Sequence, residues 1–205
     1  MQGYIISLNR VKEEDLIVTI LTNDFLYTLY RFYGARHGSI NLGFKLDFEI
    51  ENSSKSTISR LKDVIHIGFP WINNFELLKT WQEFTALFHP HLKEAEEIDN
   101  FYFQLLEEAS NKWSKQNPKR TAIELYVKLL KHEGRLHTEK ICFLCSTKIE
   151  ENRALIRAFI PTHKECSKTP PFNDKGISTL FKENSTLFLS DEEIQRLWNT
   201  LLEGL

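Results

Sequence analysis

All three cysteines of the chain fall in one stretch, spaced as Cys142-x2-Cys145, seventeen residues, then His163-x2-Cys166. No other feature of the sequence constrains its folding as much. A two-residue gap within each pair lets a tight turn present both side chains to one ion, and the intervening segment can return the second pair to the first. Three thiolates and one imidazole complete a tetrahedron with no open position for water, the donor set of a structural zinc ion rather than a catalytic one. Between the pairs, ALIRAFI (154–160) is strand-like, and Glu150-Glu151-Asn152 has the character of a turn. With few large apolar residues in this segment, the ion would supply folding free energy directly. Two other arrangements fit the same residues: a redox Cys-x-x-Cys of thioredoxin type, and three unconnected cysteines. The first of these lacks the parallel βαβ pattern that would surround it.

An odd number of cysteines does not make a secreted disulfide framework, so the expected compartment is a reducing cytosol. No apolar run reaches the roughly 18 residues of a membrane-spanning helix. The opening MQGYIISLNR also lacks the basic start and long apolar stretch of a signal peptide. At 205 residues and 41% hydrophobic, the chain can bury the core of one large domain or two small ones. Its net charge of −2 argues against a whole-surface electrostatic grip on nucleic acid. Charge is nonetheless uneven. An acidic stretch (Glu94, Glu96, Glu97, Asp99, Glu107, Glu108) precedes a basic one running from Lys112 to Lys140, in which only Glu124, Glu133 and Glu139 oppose eight positive side chains. The basic stretch is either a local cationic face or an ordinary solvated helix surface.

The N-terminal third reads as strands. GYIISLN (3–9), LIVTILT (16–22), FLYTLYRFY (25–33), FKLDFEIE (44–51) and STISRLKDVIHIGF (56–69) are β-branched and aromatic runs separated by turn-like segments. Five short strands so punctuated suggest a small closed barrel. After Pro70 the apolar spacing becomes helical, over about 73–88 and 94–114. A third helix has Asn117 as cap, Pro118 in its first turn and Gly134 just past its end. Its buried stripe is Ala122, Leu125, Tyr126, Leu129 and Leu130. A last helix opens on Ser190-Asp191-Glu192-Glu193, a capping box, with Leu189 and Ile194 as its hydrophobic staple. The expected fold class is α+β: a five-stranded barrel over 1–72, then an all-α domain over 73–205 with a zinc knuckle at 140–170.

Several of these segments resemble one family. QGYIISLNRVKEEDLIVTILTND (2–24) contains the run Glu13-Glu14-Asp15-Leu16-Ile17-Val18-Thr19-Ile20-Leu21-Thr22, Tyr33-Gly34-Ala35-Arg36 follows a strand, and LLKHEGRLHTEKICFLC (129–145) leads from a helix into the first cysteine pair. In this order they resemble bacterial RecO recombination-repair proteins. The resemblance implies an OB-fold for the barrel and a helical C-terminal domain carrying the knuckle. It also implies binding to single- and double-stranded DNA, annealing of complementary strands, and capture of the acidic C-terminal tail of single-stranded-DNA-binding protein. Cooperation with RecR-like and RecA-like proteins, in the cytoplasm and associated with the nucleoid, completes the expectation. The chain departs from the family pattern at Tyr33, where Lys is common, at His37, where more basic residues usually follow Arg36, and at His163, where cysteine is the commoner ligand.

On that resemblance, the segment 26–33 alternates as a strand with Tyr27, Leu29, Arg31 and Tyr33 on one face and Leu26, Thr28, Tyr30 and Phe32 on the other. We assign the second set to the barrel core and the first to the DNA surface. Arg10 and Lys12 in the first turn, with Arg31, Tyr33, Arg36, His37 and Lys45, then form the expected DNA track. Arg120, Lys128, Lys131 and Arg135 on the third helix are the expected site for the acidic tail, or a second contact with DNA. No G-x-x-x-x-G-K-[ST], G-x-S-x-G or H-E-x-x-H motif is present, so a non-enzymatic role is expected. His89-Pro90-His91 has the look of a helix end rather than a metal site. The alternative is a zinc-containing scaffold or regulator that binds protein alone.

Overall fold

A computed structural model describes residues 1–52, 57–95 and 97–205. Residues 53–56, including Ser56 at the head of the fifth strand-like run, and Glu96 of the acidic stretch lie outside the described residues. The chain divides into two compact units, Met1–Ser114 and Lys115–Leu205.

The first unit opens with five strands: β1 (Gln2–Arg10), β2 (Leu16–Leu21), β3 (Leu26–Arg31), β4 (Lys45–Glu51) and β5 (Arg60–Ile67). They close into a barrel in the order β1-β2-β3-β5-β4, the five-stranded OB-type architecture expected from the sequence. All pairings are antiparallel except β3 with β5, which meet in parallel at Tyr30 and Arg60. Register shifts between Ile5 and Ser7 and between Asp47 and Glu49 bend β1 and β4, as closure of so small a sheet requires. Ile5, Val18, Ile20, Leu29, Leu46, Phe48 and Leu61 fill the interior.

The parity expected for β3 is reversed. Leu29 belongs to the core, Tyr27 packs against it, and Thr28 and Phe32 are exposed. The sequence alternates apolar residues on both faces here, so composition alone did not fix which set turns inward. The pairing with β2 decides it, because Leu29 stands opposite Val18.

Outside the barrel, Tyr4 of β1 starts a second, aromatic core. Three of the four tryptophans belong to it, Trp71, Trp81 and Trp113, with Phe69, Phe84 and Phe103. The rings of Trp81 and Trp113 meet edge to face at 5.0 Å. Trp81 and Phe84 lie on α1 (Phe75–Ala86), which α2 (Phe88–Leu92) follows; Phe103 lies on α3 (Asn100–Lys112) and Trp113 directly after it. Trp81 Nε1 donates to the carbonyl of Gly43 at 2.7 Å. Gly43 has φ +80°, and a Cβ there would lie 2.7 Å from the Trp81 ring, so both backbone and space demand glycine. The expected cut between 72 and 73 falls between β5 and α1, inside this first compact unit.

The second unit is mainly helical, with one short β-hairpin and a bridged turn at Ile141–Lys148. It holds α4 (Pro118–His132), β6 (Ala154–Ile156), β7 (Ile160–Thr162), α5 (Lys164–Ser167), α6 (Asp174–Glu183) and α7 (Asp191–Leu201). Asn117 caps α4 by accepting from the N–H groups of Lys119 and Arg120, and Gly134 follows it with φ +67°. The Ser190–Glu193 capping box of α7 forms in both directions. Arg153 is almost fully buried and forks onto Asp174 Oδ1 through Nε and Nη2 at 3.1 and 2.9 Å.

Candidate metal centre and nucleic-acid interface

The first cysteine pair sits on a tight hairpin. Ile141 bridges to Lys148, the Cys142 N–H donates to the Thr147 carbonyl at 2.8 Å, and Ser146 N–H returns to the Cys142 carbonyl at 2.8 Å. Ser146 takes the left-handed turn with φ +58°. The second pair is delivered by β6 and β7: His163 directly follows β7, and Cys166 lies on the single turn of α5. The expected return path forms, but its reversal falls at Arg157–Phe159, inside the run 154–160 expected as one strand, which it splits into β6 and β7.

The ligand atoms of Cys142, Cys145, His163 and Cys166 all lie within 4.8 Å of one another. His163 Nδ1 faces the thiols, 3.4 Å from Cys145 Sγ and 3.9 Å from Cys166 Sγ, while Nε2 lies 3.1 Å from the Lys148 carbonyl. A carbonyl only accepts, so Nε2 carries the proton and Nδ1 presents its lone pair to the thiols, the orientation a metal-binding imidazole needs. Burial pushes the Cys142 thiol up, but N–H groups of His163, Cys145 and Leu144 outweigh it and bring the group down to about 6. The Thr147 hydroxyl and N–H lower Cys145 as well. Burial, then the neighbouring thiols Cys145 and Cys142, push the Cys166 thiol up to about 11, a crowding of negative charge that a cation would relieve; with one correctly turned imidazole, these four residues could hold one metal ion. Their convergence removes the arrangement of three unconnected cysteines, and a fourth and third ligand beside Cys142 and Cys145 make the pair more than a dithiol.

On the barrel, the loop after β1, the end of β3 and the start of β5 converge, and it is on this face that OB-folds bind oligonucleotides. Arg10 and Lys12 are exposed and form no ion pair among the described residues. Arg36, in the turn Gly34–Arg36, pairs with Glu14 and lies 5.2 Å from the centre of the Tyr33 ring. Tyr33 is 58% exposed, and His37 beside it is exposed too. Two other expected DNA residues are engaged inside the unit. Arg31 is half-buried, with Nη1 donating to the Leu61 carbonyl at 2.9 Å. Lys45 is only 13% exposed and pairs with Glu107 at 2.6 Å. Asp15 organises the corner by accepting from the Tyr30 hydroxyl at 2.5 Å and the Tyr33 N–H at 2.8 Å, bonds that in that order hold its carboxyl below the usual range. Sequence reasoning missed Phe32, assigned to the core, and Arg60, whose guanidinium lies 5.0 Å from the Phe32 ring centre. The β2–β3 register was the signal that could have found the first; nothing local marks the second.

The basic residues of α4 are partly engaged. Arg120 donates to the Thr186 and Leu189 carbonyls at 2.8 and 2.9 Å and to Asp191 at 2.8 Å. Lys131 reaches Asn184, and Arg135 pairs with Glu133 at 2.7 Å. Lys128 lies on the same helix and is half-buried. A cleft of about 560 Å³ lined by Asn117, Arg120, Glu124, Asn184, Thr186 and Leu187 opens beside the start of the helix.

No curated protein matches the sequence. Residues 1–72 match the family model described as RecO N terminal, a match that spans all five barrel strands and ends before α1. Over those residues, folded here as the closed β1-β2-β3-β5-β4 barrel, the chain is similar to the N-terminal domain of RecO proteins.

Proposed function

We propose that the chain is a recombination mediator of RecO type that binds single- and double-stranded DNA, anneals complementary strands and helps load a RecA-like protein onto DNA covered by single-stranded-DNA-binding protein. The match of its barrel to the RecO N-terminal family carries this reading. Exposed Arg10, Lys12, Arg36 and His37 around the loop after β1 and the end of β3 support it, because they can neutralise phosphates beside aromatic rings. Arg31 and Lys45 position the barrel from within and make the smaller contribution to DNA affinity. Annealing needs charge neutralisation and proximity but no bond chemistry, so the role is non-enzymatic. A reducing cytoplasmic setting, associated with the nucleoid, belongs to the same reading.

The metal ion is zinc, with a structural task. A Cys3His donor set prefers zinc, and three thiolates with one imidazole fill its tetrahedral shell. The acidic tail of single-stranded-DNA-binding protein is assigned to Arg120, Lys128, Lys131 and Arg135, with the cleft at the start of α4 receiving its apolar end. A RecR-like protein is the further partner.

Fluorescence anisotropy with a labelled 20-nucleotide strand, and with its duplex, at two salt concentrations tests the central claim. Binding should weaken with salt at a slope of roughly −0.7 per phosphate neutralised on the single strand, and Arg10→Ala/Lys12→Ala should make it shallower. Absence of binding at both salts would favour the protein-only scaffold instead.

A further inference from the structure

Two neighbouring side chains of the barrel leave large rings in solvent. Phe32 is 46% exposed and Tyr33 58%. A lone exposed ring is ordinary, but these two share a defined setting. Each has a guanidinium near its ring, Arg60 at 5.0 Å from the centre of Phe32 and Arg36 at 5.2 Å from the centre of Tyr33. Phe32 is braced edge to face by Tyr30 at 4.9 Å. Tyr33 sits in the left-handed backbone region, φ +52°, where a non-glycine residue is strained. Asp15 holds it there, gripping the Tyr33 N–H while also accepting from the Tyr30 hydroxyl. Strain held in place by a dedicated hydrogen bond keeps the rings where they are before any ligand arrives, which lowers the ordering cost of binding.

We infer that Phe32 with Arg60, and Tyr33 with Arg36, form a base-stacking platform that gives the barrel a preference for unpaired bases over duplex. The inference rests on the proposed DNA binding and deepens it. Nucleobases offer planar faces to rings, and guanidinium groups beside those rings serve both the phosphates and the π-faces. In a duplex the base faces are already stacked on one another, so the same platform has little to grip. The preference therefore comes from the rings, whereas Arg10 and Lys12 answer to phosphate in either form.

The test uses the full chain and three labelled probes: a 20-nucleotide oligothymidylate, an abasic strand of the same length, and a 20-base-pair duplex. The intact protein should bind the oligothymidylate more tightly than the abasic strand. Phe32→Ala should lower oligothymidylate affinity about tenfold, the order found for losing one base–ring stack, and move the single-strand-to-duplex ratio toward one. Phe32→Trp should keep the affinity. Because the four native tryptophans are buried, its new surface indole should be quenched by oligothymidylate and not by the abasic strand. An unchanged ratio in Phe32→Ala, or no quenching of the indole on oligothymidylate that the protein demonstrably binds, overturns the platform alone. Failure of the intact protein to bind any of the three probes overturns the DNA reading, and the platform with it.

Discussion

At the scale of single residues, the buried charge at Arg153 and the glycine at 43 make the firmest demands. The Asp174 carboxyl is pushed up by its burial, but hydrogen bonds from Lys140 and Arg153 outweigh this and hold it below the usual range. A depressed carboxyl contributes stability above its unfolded value, about 3.9, and loses that contribution as pH falls through the lower folded value. Asp174→Ala should therefore cost about 2 kcal/mol at neutral pH, since it leaves the Arg153 charge buried with only weaker partners, and the deficit should shrink below about pH 4. Urea melts of both proteins at pH 7 and pH 3 measure this; a deficit that is the same at both would refute the assignment. Gly43→Ala should destabilise the first unit by about 2 kcal/mol, through φ +80° and the approach of Trp81. Thermal denaturation followed by tryptophan fluorescence reports it directly. Gly43 could not be singled out from the sequence, because the residue that crowds it lies 38 positions away.

At the scale of elements, the Cys3His cluster is where a bound ion would couple to the folding of the chain. On the proposed zinc reading, a strong chelator should strip the Lys140–Ile149 hairpin and the β6–β7 pair of their amide protection while β1–β5 keep theirs. Hydrogen exchange followed by mass spectrometry shows which segments respond, and metal analysis after dialysis gives the stoichiometry; a chain that stays folded with far less than one ion would refute the cage. Ser190→Ala should cost about 1 kcal/mol by opening the capping box of α7, read as a lower melting temperature. This box was legible in the sequence, as were the clustering of Cys142, Cys145, His163 and Cys166, the cap at Asn117 and the five strand runs, since each depends on spacing within a few residues or on a repeated pattern. Helix α6 was not. Its Gly176 lowers helical propensity, yet a Cβ there would lie 2.5 Å from Leu189, so a contact with a distant loop outweighs the local preference. The inward face of β3 escaped for the same reason, because only its partner strand decides it.

At the scale of the whole molecule, the barrel and the three helices after it are one compact unit. A fragment of residues 1–72 would bare Tyr4, Phe69 and Trp71, which the helices cover through Trp81, Phe103 and Trp113. A fragment ending at 114 should be soluble and melt cooperatively, whereas one ending at 72 should aggregate or melt far lower. Circular dichroism with size-exclusion chromatography distinguishes them, and equal behaviour would show that the aromatic core is dispensable. Closure of the barrel has a consequence of its own. Strands β3 and β5 are joined at the pairing of Tyr30 with Arg60 and by the Tyr30 N–H bond to the Ser59 carbonyl at 2.9 Å. Arg60 is also the partner of Phe32. A polymer laid across both rims would act as a clasp on the weakest join of the hoop, so each molecule held should toughen the wall that holds it, and parting of that join should be a way for it to let go.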